Sequence, residues 1–256
     1  MKEIPFENKI WKIIPENQFN HIFIETRSPE NRSVVYFRVS FSDFSIQKIN
    51  ITEDPDLYWT SLAGESNGVL ILTHYGEKEI PLNIGLSAYN AETGVRLWSH
   101  PNLKLMEIQD DYLLAQDVSS AETPLSVHLQ TGTVITRTDT TSRPHPPLPF
   151  YYPEPVLSQQ PEFEAWSRKI ETLFQQKPVA HIDFWTGNAY EIIHYYTKES
   201  HLSQFIAILH HQKPVVHECL YRQIHSMTYE PFFILKNLLI TIKEGNILCV
   251  MKLESV

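Results

Sequence analysis

Two cysteines in 256 residues, Cys219 and Cys249, without CxxC spacing, leave no material for a disulfide framework or a paired-thiol metal site. Each lies in an apolar, strand-like run and reads as a small buried hydrophobe. Clustered basic charge is missing too. With 21 Lys and Arg against 30 Asp and Glu, and a net charge of −9, the chain lacks the electrostatic footprint that phosphate backbones require, so nucleic acid is not expected as a partner. Residues 1–15 alternate charged and apolar types without an apolar stretch long enough for a secretory signal, so export is not expected. The most apolar stretch, 232–251, is cut by Lys236, Asn237, Lys243, Glu244 and Asn246 and cannot span a bilayer as a helix. A cytoplasmic protein without membrane contact is therefore expected. G-x-S-x-G elbows, P-loops, G-x-G-x-x-G turns and H-E-x-x-H motifs are all absent, which removes the usual marks of acyl hydrolases, nucleotide sites and zinc proteases.

What is present is strand grammar. At 42% hydrophobic the chain is too apolar for disorder, and a unit of this size buries enough core to need neither disulfide nor cofactor. Short runs rich in Val, Ile, Phe and Tyr, ended by Gly, Asn, Asp or Pro, predict strands at 21–26, 34–41, 69–75, 112–118, 190–196, 204–210, 232–235, 238–242 and 247–253. One segment differs. Over 161–176, Phe163, Trp166, Ile170 and Leu173 or Phe174 recur at helical spacing behind a proline at the first turn, predicting one amphipathic helix. Before it, prolines at 144, 146, 147, 149, 153 and 155 predict an extended connector without ladder donors rather than a strand.

A weak internal repeat organises these strands. Residues 85–98 read as strand, tight turn at Thr93-Gly94, and strand ending at Trp98. The Thr-Gly turn returns 38 residues later at Thr131-Gly132, residues 205–216 keep the pattern with a bend at Gln212-Lys213-Pro214, and 35–49 turn near Ser42-Asp43. Outer strands centred near Lys48, Trp98, Thr136 and His217 stand 50, 38 and 81 residues apart, the last interval holding the Pro-rich connector and helix. Setting that insert aside leaves five units of about 43 residues, the size of a four-stranded propeller blade. The final strand, 247–253, has no following partner, and the segment 8–13 looks like an outer strand with nothing before it. Pairing the two would close a ring and remove its open edges. The expected fold is an all-β, five-bladed β-propeller closed by the N-terminal strand. It forms a single domain over 1–256, with the insert at about 139–178 and its helix packed on the outside.

The stretch 86–98 resembles the repeat of quinoprotein-type (PQQ-type) β-propellers, in which a strand, an acidic-Thr-Gly turn and a strand ending in Trp recur in each blade. One blade carries it clearly and two in degraded form. Eight glycines are few for that family, and no residue used there to hold quinone or calcium is matched, so the resemblance implies no cofactor. The whole chain is similar to an uncharacterised bacterial family of single-domain proteins, which implies no established activity. Fold analogy does not carry function with it.

Three groups of residues are candidates for a site. Seven of the twelve histidines fall between His181 and His225, and His211, His217 and Cys219 have residue types suited to zinc, with His217 and Cys219 on one strand face. The preferred alternative makes them ordinary strand and rim residues. Among the acids, Asp54 and Asp56 bracket a proline, Asp110 and Asp111 precede a strand, and Asp183 and Glu191 flank the turn at Thr186-Gly187. Asp183 and Glu191 are the candidate pair for a channel-sited hydrolase acting on carbohydrate, a chemistry that needs two opposed carboxylates; turn formation is the simpler role. Finally Trp59, Trp98, Trp185, Tyr151 and Tyr152 are candidate ligand-binding aromatics, able to stack on a sugar or peptide or to wedge between blades. The segment around Phe150-Tyr151-Tyr152-Pro153 is either a docking ligand for a partner or a drape over its own domain. The expected function is a ligand-binding or protein-interaction propeller without catalysis, its partner an unknown protein or small molecule.

Overall fold

The computed structural model describes residues 1–16, 20–51, 57–76, 83–119, 124–135, 150–187, 189–227 and 231–254. These form five separate antiparallel sheets and one α-helix, in two compact units, Asn8–Pro144 and Met1–Glu7 with His145–Val256. Among the described residues no helix is long and apolar enough to cross a membrane. The first strand, β1 (Lys2–Pro5), belongs to the second unit and is placed there below.

The unit Asn8–Pro144 holds three four-stranded meanders, each in sequence order. The first joins β2 (Lys9–Pro15), β3 (His21–Ser28), β4 (Ser33–Ser40) and β5 (Ile46–Ile49). The second joins β6 (Thr60–Ser66), β7 (Val69–Tyr75), β8 (Asn83–Asn90) and β9 (Arg96–His100), and the third β10 (Leu103–Ile108), β11 (Tyr112–Asp117), β12 (Leu125–His128) and β13 (Val134–Ile135). Strand β7 shows why the sheets stack. Its alternate side chains Leu70 and Leu72 enter one core with Phe23, Tyr36 and Tyr89, while Val69 and Ile71 enter another with Trp98, Leu113 and Val127. A period of two thus divides one unbroken apolar run between two neighbours.

The hairpin turns expose the physical basis of the repeat. Gly94 N donates to Asn90 O at 2.9 Å and Asn90 N to Val95 O at 2.8 Å; Gly132 with His128, and His128 with Thr133, make the same pair of bonds at 2.8 and 2.9 Å. Both glycines are left-handed, with φ of 73° and 68°. A Cβ on Gly94 would lie 2.3 Å from the Asn50 carbonyl oxygen, and one on Gly132 would lie 2.6 Å from the Trp98 ring. The turn of the third sheet is therefore the seat of the tryptophan of the second. The first sheet turns at the equivalent place with Phe44 in the left-handed position (φ 60°).

In the second unit, β14 (Phe150–Tyr151) and β15 (Glu154–Leu157) precede α1 (Pro161–Phe174). Then come β16 (Pro178–Gly187), β17 (Tyr190–Lys198), β18 (Leu202–His210) and β19 (Lys213–Ile224), followed by β20 (Phe232–Leu235), β21 (Leu238–Lys243) and β22 (Ile247–Lys252). One sheet runs β15-β16-β17-β18-β19 and the other β1-β22-β21-β20-β14. They pack through Ile192, Ile206 and Ile208 against Phe232, Ile234 and Leu239.

Several expectations are corrected here. The strand that completes the last sheet is Lys2–Pro5, with Lys2 opposite Val250 and Pro5 opposite Ile247. Residues 9–13 of that expected strand instead open the first sheet as part of β2, where they pair with the neighbouring β3. Part of the Pro-rich connector is strand: β14 pairs with β20 and β15 with β16. Both lie on sheet edges, where alternate donors point away from the ladder and a proline sacrifices nothing. The rest of that connector, with Asp54, Asp56 and Thr136, lies outside the described residues. The bend expected at 212–214 falls at His211-Gln212, both left-handed, a two-residue hairpin turn.

The helix forms where the spacing predicts it, with Pro161 in its first turn and Gln175 left-handed at its end. It covers a sheet face, because Ile182, Ile193, Tyr195, Ala207 and Leu209 make that face apolar. Phe163, Trp166, Ile170, Leu173 and Phe174 supply the complementary stripe, with Ile170 fully buried.

Candidate ligand-binding site

Residues 150–157 cross from the edge of β20 to the edge of β16, and the crossing builds a site. Phe150 anchors it, its ring stacked on Phe233 at 4.7 Å and tilted against Tyr152 at 4.8 Å. That leaves Tyr151 and Tyr152 half exposed, at 51% and 52%. Trp185 comes from β16, packed on one side against the core shared by the two sheets. Its ring lies across Gly187, where a Cβ would come within 2.6 Å. The Tyr151 and Trp185 rings are 6.3 Å apart and inclined at 52°. Both rings line a cavity of about 420 Å³. Tyr151, Tyr152 and Glu154 form one wall, and Phe184, Trp185 and Thr186 another. Lys236 and Asn237, from the hairpin turn joining β20 and β21, close it with Leu253. Asn237 is held in place: Leu253 N donates to its carbonyl oxygen at 2.7 Å and its own Nδ2 donates to Leu253 O at 3.3 Å.

Three of the five sequence-predicted aromatics, Tyr151, Tyr152 and Trp185, therefore share one cavity. Trp59 and Trp98 lie in the other unit. Trp59 sits in a single 3₁₀ turn with its ring edge-on to Tyr58 at 5.4 Å. Trp98 is buried between the second and third sheets, and its Nε1 donates to Leu129 O at 2.6 Å.

The candidate acids are not brought together. Asp183 is opposite His194 and Glu191 opposite Thr186, which puts the two carboxylates on opposite faces of one sheet. Glu191 is bound by Lys169 of the helix and accepts from Gln212 Nε2 at 2.6 Å. Asp183 instead joins two of the clustered histidines: His194 Nδ1 donates to its Oδ2 at 2.8 Å, and His181 Nε2 lies 3.2 Å from the same oxygen. Burial works against this carboxylate, yet the hydrogen bonds from the two imidazoles outweigh it and hold Asp183 below its ordinary value. Burial lowers the pKa of His194, whose Nε2 has no hydrogen-bond partner and is wholly enclosed. No substrate reaches an atom so enclosed.

The three candidate metal ligands are separately engaged. His217 is stacked on Phe174 at 4.2 Å with its Nε2 2.7 Å from the Tyr195 hydroxyl. Cys219 shares its strand face, as the i, i+2 spacing predicts, but its Sγ donates to Tyr221 O at 3.3 Å and burial raises its pKa. His211 stands in the turn against His210 at 4.4 Å. Among the described residues no three of His, Cys, Asp and Glu are grouped to hold a metal ion. Asp110 and Asp111 accept from Ser66 and Asn67, tying one hairpin to the next.

Sequence reasoning did not single out Glu154, Phe184, Thr186, Lys236 or Asn237. The one local signal was the Leu-Lys-Asn-Leu hairpin turn; its proximity to Tyr151 depends on β14 pairing with β20. A second cavity, of about 540 Å³, surrounds the start of α1. Its Arg168–Glu164 pair is 73% and 74% exposed, the mark of a solvated helix face.

Residues 16–98 match a family described as a domain of unknown function (DUF4905). No curated protein matches the chain. Among solved structures, the N-terminal domain of Nup159 is similar at 8% identity and a TM-score of 0.37, over 96% of this chain and 76% of that one. BamB from Moraxella catarrhalis is similar at 9% identity and a TM-score of 0.26, over 98% of both chains. A chain of the mitotic checkpoint complex follows at 6% and 0.20, over 98% and 77%. Likeness this slight transfers neither ligand nor partner.

Proposed function

We propose that the chain is a non-catalytic binding module whose ligand site is the cavity between Tyr151, Trp185, Glu154 and Asn237. We read its five sheets as the blades of a single propeller completed by β1, with α1 inserted in sequence after the third blade and packed on the face of the fourth. Sequential antiparallel meanders and the pairing of β1 with β22 support the ring. The convergence of Tyr151, Tyr152 and Trp185 on one small-molecule-sized cavity carries the binding reading. The hydrolase alternative needs two carboxylates facing one substrate; Asp183 and Glu191 face opposite ways, and Glu154 is the sole carboxylate among the described residues that line the cavity.

The test is equilibrium dialysis of the whole protein against defined mixtures of sugars, amino acids, nucleotides and organic acids, with mass-spectrometric readout of what is retained. A compound retained by the wild type and released by Trp185→Ala and Tyr151→Ala is expected. Retention of nothing, or equal retention by the variants, overturns the reading.

A further inference from the structure

We propose that the ligand of this cavity is a neutral carbohydrate, an inference that rests on the binding reading above and narrows it. The walls argue first. Flat heteroaromatic ligands stack best against parallel faces, whereas the rings of Tyr151 and Trp185 meet at 52° with centroids 6.3 Å apart. Two inclined faces side by side in one lining suit a puckered ring that presents C–H groups in two directions, as a pyranose does. Polar groups argue next. Glu154 supplies acceptors, the Asn237 amide both donor and acceptor atoms, and Thr186 a hydroxyl to the lining; Glu154 and Thr186 lie on the Phe184 face of the sheet and Trp185 on the other, so the cavity takes in both sides of its edge. Adjacent sugar hydroxyls, each at once donor and acceptor, require such a mixture; a carboxylic acid or an aliphatic chain leaves half of it unsatisfied. Charge argues third. Glu154 and Lys236 carry opposite signs in one lining, so the cavity has no excess field to select a phosphate or a cation. Its volume of about 420 Å³ admits more than one sugar ring, which points to an oligosaccharide.

Calorimetric titration of the full chain with malto-, cello-, xylo- and β-1,3-gluco-oligosaccharides of two to six units tests this, alongside the dialysis above. At least one series is expected to bind, with affinity falling about tenfold or more in both Trp185→Ala and Tyr151→Ala as a stacking face is lost. Tyr151 is half exposed, so its variant keeps the fold even if Trp185→Ala does not. Affinity is expected to change less than about twofold between low and high salt, since no net charge is recognised. Retention of a nucleotide, amino acid or organic acid at the cavity, with no saccharide bound, overturns the carbohydrate assignment and leaves the binding reading standing. Saccharide binding indifferent to both substitutions overturns the assignment as well. Retention of no compound of any class overturns both.

Discussion

The two units solve the same construction problem differently. In Asn8–Pro144, three meanders repeat one plan, with four strands in sequence order and a last hairpin turned at 40–45, 90–95 or 128–133. Polar groups buried there serve as fasteners. Glu25, fully buried, accepts from Arg27 Nε at 2.5 Å and from Leu62 N at 2.7 Å, tying β3 to β6. The other unit breaks the plan with a helix on one sheet face, a fifth strand on two sheet edges, a carboxylate shared by two histidines and an aromatic cavity. Repetition supplies stability cheaply, and the proposed ligand cavity lies among the departures from it.

That contrast can be broken most forcefully at the edge of the irregular unit. Deleting residues 1–6 removes β1 with buried Ile4 and Phe6 and the Lys243–Glu3 ion pair. The last sheet should lose roughly 5 kcal/mol, read as lowered hydrogen-exchange protection across β20–β22; unchanged protection would deny β1 its role. In the repetitive unit Trp98→Ala should cost roughly 3–5 kcal/mol by denaturant titration, since the ring fills the space between two sheets and its N–H is satisfied there. A near-silent change would make the tryptophan a surface group. Gly94→Ala should cost roughly 1–3 kcal/mol, because the turn is left-handed and the new Cβ meets the backbone at Asn50. A stable variant would show the turn free to move.

The smallest effect separates the units by pH. His194 is pushed below its ordinary 6.5 by burial, so its contribution is complete above pH 6.5 and declines below it, where the unfolded chain takes up a proton that the folded chain refuses. Asp183, held below its ordinary 3.8, adds a further loss as pH falls through its folded value. Acid should therefore loosen β16–β18 from about pH 6 downward, by at most about 1.4 kcal/mol per pH unit for each proton. His194→Leu should remove the upper part of that slope. Exchange protection in β16–β18 that is flat from pH 7 to pH 5 would contradict the assignment.

The helix was legible because Phe163, Trp166, Ile170 and Leu173 announce their stripe locally, and the β7 strand because its apolar run has its own length and ends. The Thr-Gly turns were legible for a similar reason, since a left-handed residue must be paid for within the turn itself. Segment 150–157 was misread as unpaired because its prolines count against a strand unless the strand is an edge, and edge status is a property of the neighbours. The candidate site divides likewise. Tyr151, Tyr152 and Trp185 stand out as aromatics in extended chain, whereas nothing near Asn237 or Glu154 says that they meet them.

The amino-acid sequence by itself determined the most apolar strands, the helix and the Thr-Gly hairpin turns, because periodicity and turn chemistry act over a few residues. Tertiary structure alone decided that Asp183 and Glu191 face apart, that His181 and His194 share one carboxylate, and that an edge-bound crossing brings two tyrosines to a tryptophan. Those outcomes depend on which strand lies beside which, and pairing between distant segments is chosen by the burial of whole faces rather than by any local signal.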